Sequence, residues 1–168
     1  MPKLSAIAAG LALAFTLAAT FDLPPSRAQT VAAKEIEGTW QLLSATATEG
    51  EKKRELFGAN PKGQLVLGSD GRFTMVVARA DLPKYKSGSR ARGTADEYQA
   101  TVQGSVAYFG TYKVEGNELV FKVEGSTFPN WVGETQRRPL KLSGDELSYT
   151  SPAPIGGAPT ALVWKRLK

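Results

Sequence analysis

The sequence predicts an all-β protein, an antiparallel up-and-down β-barrel of about eight strands with one or two short helices. Two observations predict it. Short segments of alternating apolar and polar residues recur from residue 38 to residue 166, punctuated by turn residues such as Ser69-Asp70-Gly71, Glu115-Gly116-Asn117 and Ser143-Gly144-Asp145. The first and last of these segments, Gly38-Thr39-Trp40 and Trp164-Lys165-Arg166, also carry side chains suited to closing a sheet on itself. Gly38 lets another backbone approach. Trp40 can plug a barrel floor, provided its N–H finds an acceptor. Arg166 can lay its guanidinium on that indole and donate to nearby carbonyls. Joining first strand to last removes the exposed edges of the sheet.

The elements follow in order. Residues 31–37 suit one or two helical turns. The first strand runs from Gly38 to about Thr48, and 49–63 reads as a loop with turn signals at Gly58-Ala59-Asn60-Pro61. Leu65-Val66-Leu67 and Phe73 to Ala78 form a hairpin around Asp70-Gly71. Residues 81–93 are a basic Gly/Ser-containing loop. Thr94-Ala95-Asp96-Glu97 is a capping box, starting a helix that stops near Gly104. Ala95, Tyr98 and Val102 share one face of it, which predicts packing against the barrel wall or across one end. Val106 to Val114 and Glu118 to Val123 form the next hairpin, with Leu119, Phe121 and Val123 inward. Glu134 to Leu142, Leu147 to Thr150 and Thr160 to Arg166 complete the set.

The first residues read as a processing segment. Lys3 precedes an apolar run from Leu4 to Phe21, Pro24-Pro25 breaks any helix, and Ser26-Arg27-Ala28 offers small residues to a signal peptidase. Residues 1–28 are therefore expected to be a signal peptide cleaved after Ala28. Residues 29–168 are then one barrel domain, exported to a bacterial periplasm or secreted. The alternative is an uncleaved membrane anchor, since the run is near spanning length.

Composition excludes several chemistries. The chain has no Cys and no His. Disulfide scaffolds, Cys nucleophiles and Ser-His-Asp catalysis are excluded, as are the usual zinc, haem and copper sites. No metal or cofactor is expected. The formal net charge is +5, but no basic stripe interleaves with aromatics, so nucleic acid is not an expected partner. A mildly basic surface leaves envelope lipid as a possible partner. A monomer is expected.

Candidate binding residues come from alternation. Phe73, Met75 and Val77 share a face, as do Val106, Tyr108, Gly110, Tyr112 and Val114. Met75, Tyr108, Tyr112 and Phe121 either fill a solid core or line a cavity, where the two phenols could serve a ligand's polar group. Arg138 is in phase with Leu140 and Leu142 and so points inward, although Pro139 could mark a bulge. An inward Arg needs a carboxylate, for which Glu97 and Glu134 are candidates, or a ligand's polar head. Arg79 could play the same part at the rim. Phe128-Pro129-Asn130-Trp131 is an aromatic loop, with Trp131 as lid or plug.

Several stretches together resemble a known family. They are Thr39-Trp40-Gln41-Leu42, Asn60-Pro61-Lys62-Gly63, Asp70-Gly71-Arg72-Phe73, Gly93 to Tyr98, Tyr108-Phe109-Gly110-Thr111-Tyr112, Phe128 to Gly133, Gln136-Arg137-Arg138, Gly144-Asp145-Glu146-Leu147 and Trp164-Lys165-Arg166. In this order they are similar to the bacterial lipocalin-like domain proteins. The resemblance implies a lipocalin-like barrel and, by analogy of fold, a small hydrophobic or amphipathic ligand. The expected function is thus a binding protein, with no catalytic residue assigned. The alternatives are an isomerase or cyclase using Tyr, Glu and Arg, or a solid barrel acting as an envelope interaction module.

Overall fold

The computed structural model describes residues 31–152 and 157–168. The signal-peptide expectation lies outside them. The chain order is α1 (Ala33–Ile36), β1 (Gly38–Glu49), β2 (Lys52–Glu55), β3 (Lys62–Leu67), β4 (Arg72–Ala78), α2 (Ala95–Gly104), β5 (Ser105–Glu115), β6 (Glu118–Ser126), β7 (Thr135–Ser143), β8 (Glu146–Ser151) and β9 (Thr160–Arg166). All pairings are antiparallel. Eight strands, β1 and β3 to β9, form an up-and-down barrel that closes by a β1–β9 ladder running from Trp40↔Arg166 to Ala47↔Thr160. β2 is an extra arm on the far half of β1, pairing Glu49 with Lys52 and Thr46 with Glu55.

The strands form where alternation put them. In β4, Phe73, Met75 and Val77 are buried while the residues between them are exposed. Gly71 turns the β3–β4 connection with a φ of 76°, a conformation costly for other residues. Gly110 is required for a different reason. At the irregularity between β5 and β6, a Cβ on it would lie 1.9 Å from the Lys122 carbonyl oxygen.

Three expectations need correction. Residues 49–63 are not all loop, because Lys52–Glu55 forms β2 although every one of its side chains is exposed. The extended first strand supplies the partner that the charged segment lacks internally. Pro139 marks no bulge: it pairs with Glu118 while Arg138 pairs with Leu119, and the ladder is regular there. The α2 face carrying Tyr98 and Val102 is not packed on the barrel. Both side chains are exposed, and the buried residues of the helix are Glu97 and Gly104. The helix packs instead on the loop before it, where a Cβ on Gly104 would meet Leu82.

One end of the barrel is a floor. Trp40 is fully buried there, and its indole N–H donates to the Ile36 carbonyl at 2.9 Å. The Arg166 guanidinium lies over that ring and donates to the Glu37 carbonyl at 2.6 Å and to the Glu35 carbonyl. Gly38, at φ 125°, leaves room for it; a Cβ there would sit 3.2 Å from Arg166 Nη1. The other end is a mouth, where the connections between β2 and β3, β4 and β5, and β6 and β7 gather beside the paired strand ends Ser151 and Thr160.

Candidate functional site

A small pocket lies beneath the mouth. Its wall is Met75, Val77, Val106 and Leu162, all inward residues of β4, β5 and β9. Leu56 and Phe57, from the connection after β2, and Trp131, from a 3-10 turn after β6, close it from above. Its polar groups are Tyr108, Arg138, Ser151 and Thr160. About 20 Å³ is free inside, room for roughly one water. The barrel interior is therefore nearly filled by its own side chains.

Arg138 dominates the chemistry of this pocket. Alternation along β7 turns it inward, and it is only 2% exposed. Its guanidinium carbon is 5.4 Å from the Phe121 ring centre and 5.3 Å from that of Tyr149. Those aromatic faces recover part of the lost hydration. Nη2 donates to the Gln136 side-chain oxygen, while the buried Nε has no hydrogen-bond partner among the described residues. The internal carboxylate expected from sequence is not present. Among the described residues no carboxylate lies within 4 Å of Arg138. Glu97 accepts instead from the Lys86 and Thr94 backbone N–H groups, and Glu134 is exposed. A buried guanidinium without a counter-charge is costly, and an acceptor brought by a ligand would remove that cost.

Two phenols flank the cation. Burial raises the pKa of Tyr108 above its ordinary value, and the nearby Arg138 charge partly opposes this. Tyr149 is raised well above its ordinary value, by burial first and then by proximity to Tyr108. Its hydroxyl donates to Met75 Sδ at 3.6 Å. Both phenols are thus neutral hydrogen-bonding groups through the physiological range. Thr160, also in the lining, donates its hydroxyl to the Ala158 carbonyl at 3.1 Å.

Of the residues singled out from sequence, the pocket brings together Met75, Tyr108, Trp131 and Arg138. Phe121 does not line it but packs under the guanidinium and against Phe73, Tyr108 and Tyr149. Tyr112 also lies outside it. Its hydroxyl donates to the Gly68 carbonyl in the β3–β4 turn, toward the floor. Gly38, Trp40 and Arg166 are at the floor, away from the pocket. Arg79 is held at the surface by two 2.8 Å hydrogen bonds to Asp81. Sequence reasoning missed Leu56, Phe57, Gln136, Ser151 and Thr160. Continuing the Leu147–Tyr149 alternation would have turned Ser151 inward, and Leu56-Phe57 is an apolar pair between charged and turn residues.

The chain matches the family described as the lipocalin-like domain over residues 37–167. It belongs to that family. The match spans the whole barrel, from the residue before β1 to the residue after β9. This lipocalin-like chain is also similar to a protein of Aspergillus oryzae (strain ATCC 42149 / RIB 40) named as a 4'-hydroxy-3'-methoxypropiophenone carrier protein. Identity is 30% over 103 residues, which is 54% of this chain and 93% of that protein. The lipocalin-like fold and a relative named as a carrier support small-molecule binding in general.

Proposed function

We propose that this lipocalin-like protein is an exported, monomeric carrier that holds one small amphipathic molecule under the mouth of its barrel. The apolar body of the ligand packs on Met75, Val77, Val106 and Trp131. An acceptor oxygen takes the unpartnered Arg138 donor, with Tyr108 beside it. The single observation that carries this reading is a buried guanidinium with no counter-charge among the described residues, in a mostly apolar pocket. Phe57 and Trp131 must swing aside for the ligand, since the resident space holds about one water.

The relative's name makes an aryl ketone the first ligand to try. The pocket is suited to one, because a planar ring can stack on Trp131 while its carbonyl meets Arg138. Among the described residues no carboxylate lines the pocket, so an acid–base set of Tyr, Glu and Arg would lack its Glu there.

The test is a titration of the protein with 4'-hydroxy-3'-methoxypropiophenone and with palmitate, read by Trp131 fluorescence and native mass spectrometry. Saturable one-to-one binding of either, weakened in Arg138→Met, is the expected result. No binding of any member of a wider phenol, ketone and fatty-acid panel would overturn the carrier reading. The mass of the protein recovered from its host tests export: a chain beginning at Gln29 is expected.

A further inference from the structure

We infer that the mouth of the barrel docks on an anionic lipid surface through the β4–β5 and β6–β7 connections. These two connections leave the mouth side by side, since β4 to β7 are consecutive neighbours in the sheet.

The first ground is charge. Residues 82–93 hold Lys84, Lys86, Arg90 and Arg92 and no acidic residue. All four cations are exposed, and among the described residues none reaches a carboxylate within 4 Å. Two nearby acids are spent elsewhere: Asp81 on Arg79, and Glu97 on the loop's own backbone. The exposed Asp96 and Glu134 only partly offset the cations. The three consecutive cations of β2, Lys52, Lys53 and Arg54, are flanked by Glu49, Glu51 and Glu55 and add little.

The loop is also held in place. Glu97 accepts from the Lys86 and Thr94 N–H groups at 2.8 Å each. The Tyr98 hydroxyl accepts from Gly93 N–H and donates to the Arg90 carbonyl, and its ring meets Tyr85 edge-on. The cations therefore stand on a built platform rather than a loose strand of chain.

The second ground is apolar exposure at the same end. Val102 of α2 is 76% exposed, and Phe128 and Val132 of the β6–β7 connection are about half exposed. None contributes to the core. They belong to two connections that neighbour each other at the mouth. Apolar tips beside cations suit the fluid boundary between headgroups and acyl chains. An amphipathic ligand partitions into that same boundary, so a mouth lying on it meets its cargo. The docking itself does not depend on the proposed ligand and is tested without one.

The test uses the chain from Gln29, which contains every described helix, strand and pairing. Flotation is measured with phosphatidylcholine vesicles and with vesicles carrying phosphatidylglycerol. Binding only to the second, reversed by high salt, is expected. Lys84→Gln with Lys86→Gln should weaken it at least about tenfold, given roughly fivefold per cation. Val102→Ser with Phe128→Ser should weaken the binding that survives at moderate salt. A control pair, Lys141→Gln with Lys165→Gln, makes the same charge change away from the mouth and should leave binding within about twofold. Thermal unfolding verifies that each variant is folded. Absent or lipid-indifferent binding would overturn the inference, as would equal loss in the control pair. Ligand binding that persists with no vesicle binding would remove the docking while leaving the carrier reading intact.

Discussion

The Arg166 guanidinium lies 4.1 Å from the centre of the Trp40 ring, across the ladder that joins the last strand to the first. The same group donates to two carbonyls of the α1 region, so one side chain ties the floor helix, the first strand and the last together. Arg166→Lys keeps the charge but loses the planar fork. It should cost about 1.5–3 kcal/mol, and Trp40→Ala about 3–5 kcal/mol. Urea unfolding of both variants, with an unchanged slope, is the check; a cost below ~0.5 kcal/mol for either would show that the floor contact contributes little.

Arg138 should behave in the opposite way. Replacing a buried, unpaired guanidinium by an apolar side chain of similar length is often neutral or stabilising. Arg138→Met is therefore expected to keep or raise the thermal midpoint while weakening ligand binding about 10- to 100-fold, the worth of a hydrogen bond to a charged group. A variant that fails to fold would make Arg138 a structural residue first.

The glycines of the barrel are not equivalent. Gly110→Ala forces a Cβ against the Lys122 backbone, which cannot move without opening the β5–β6 ladder. A loss above ~3 kcal/mol is expected. At Gly125 the Cβ would meet the Phe109 ring, which can swing into solvent, so Gly125→Ala should cost less, about 1 kcal/mol. Chemical denaturation of the two variants ranks them.

Tyr108 and Tyr149 predict an alkaline limit. Burial raises both pKa values, so the folded state holds these protons more tightly than the unfolded chain does. Their contribution to stability is intact below the unfolded phenol pKa of about 10 and is lost as pH rises above it. Phenolate absorbance should show Tyr108 and Tyr149 ionising only as the barrel unfolds. Ionisation of all five tyrosines before any loss of circular dichroism would contradict this.

Ligand access should be gated. The closed pocket has no room for a drug-sized molecule, so opening around Phe57 precedes or accompanies binding. Stopped-flow traces of Trp131 fluorescence should reach a limiting rate at high ligand concentration. Phe57→Ala should raise that limit. A rate linear in ligand for the parent protein would mean that the mouth stands open.

Much of the barrel was legible because a strand repeats every two residues, and that period also turned Arg138 inward. Its phase with Leu140 survived Pro139 because the proline sits beside Glu118 without breaking the ladder. Other features depend on quantities that a local pattern does not contain. β2 has no apolar residue to announce it and exists because β1 runs on to Glu49. The apolar spacing of α2 is genuine, yet its buried side was set by Glu97 capping the preceding loop. Tyr112 does face inward, but its height along the barrel axis puts its hydroxyl by Gly68 instead of in the pocket. Whether the interior is hollow was equally invisible, since that rests on how Phe57 and Trp131 are turned.

The order of the strands also has a kinetic consequence. From β3 to β9 every ladder joins neighbours in sequence, so each can form as a hairpin at small entropic cost. The β1–β9 ladder alone spans the whole domain, and it must pin the largest loop. The pocket draws on residues from Leu56 to Leu162, so it is complete only once that seam has closed. Ligand capture would then report the last step of folding, and a bound molecule would act as a clasp on the seam, slowing its reopening.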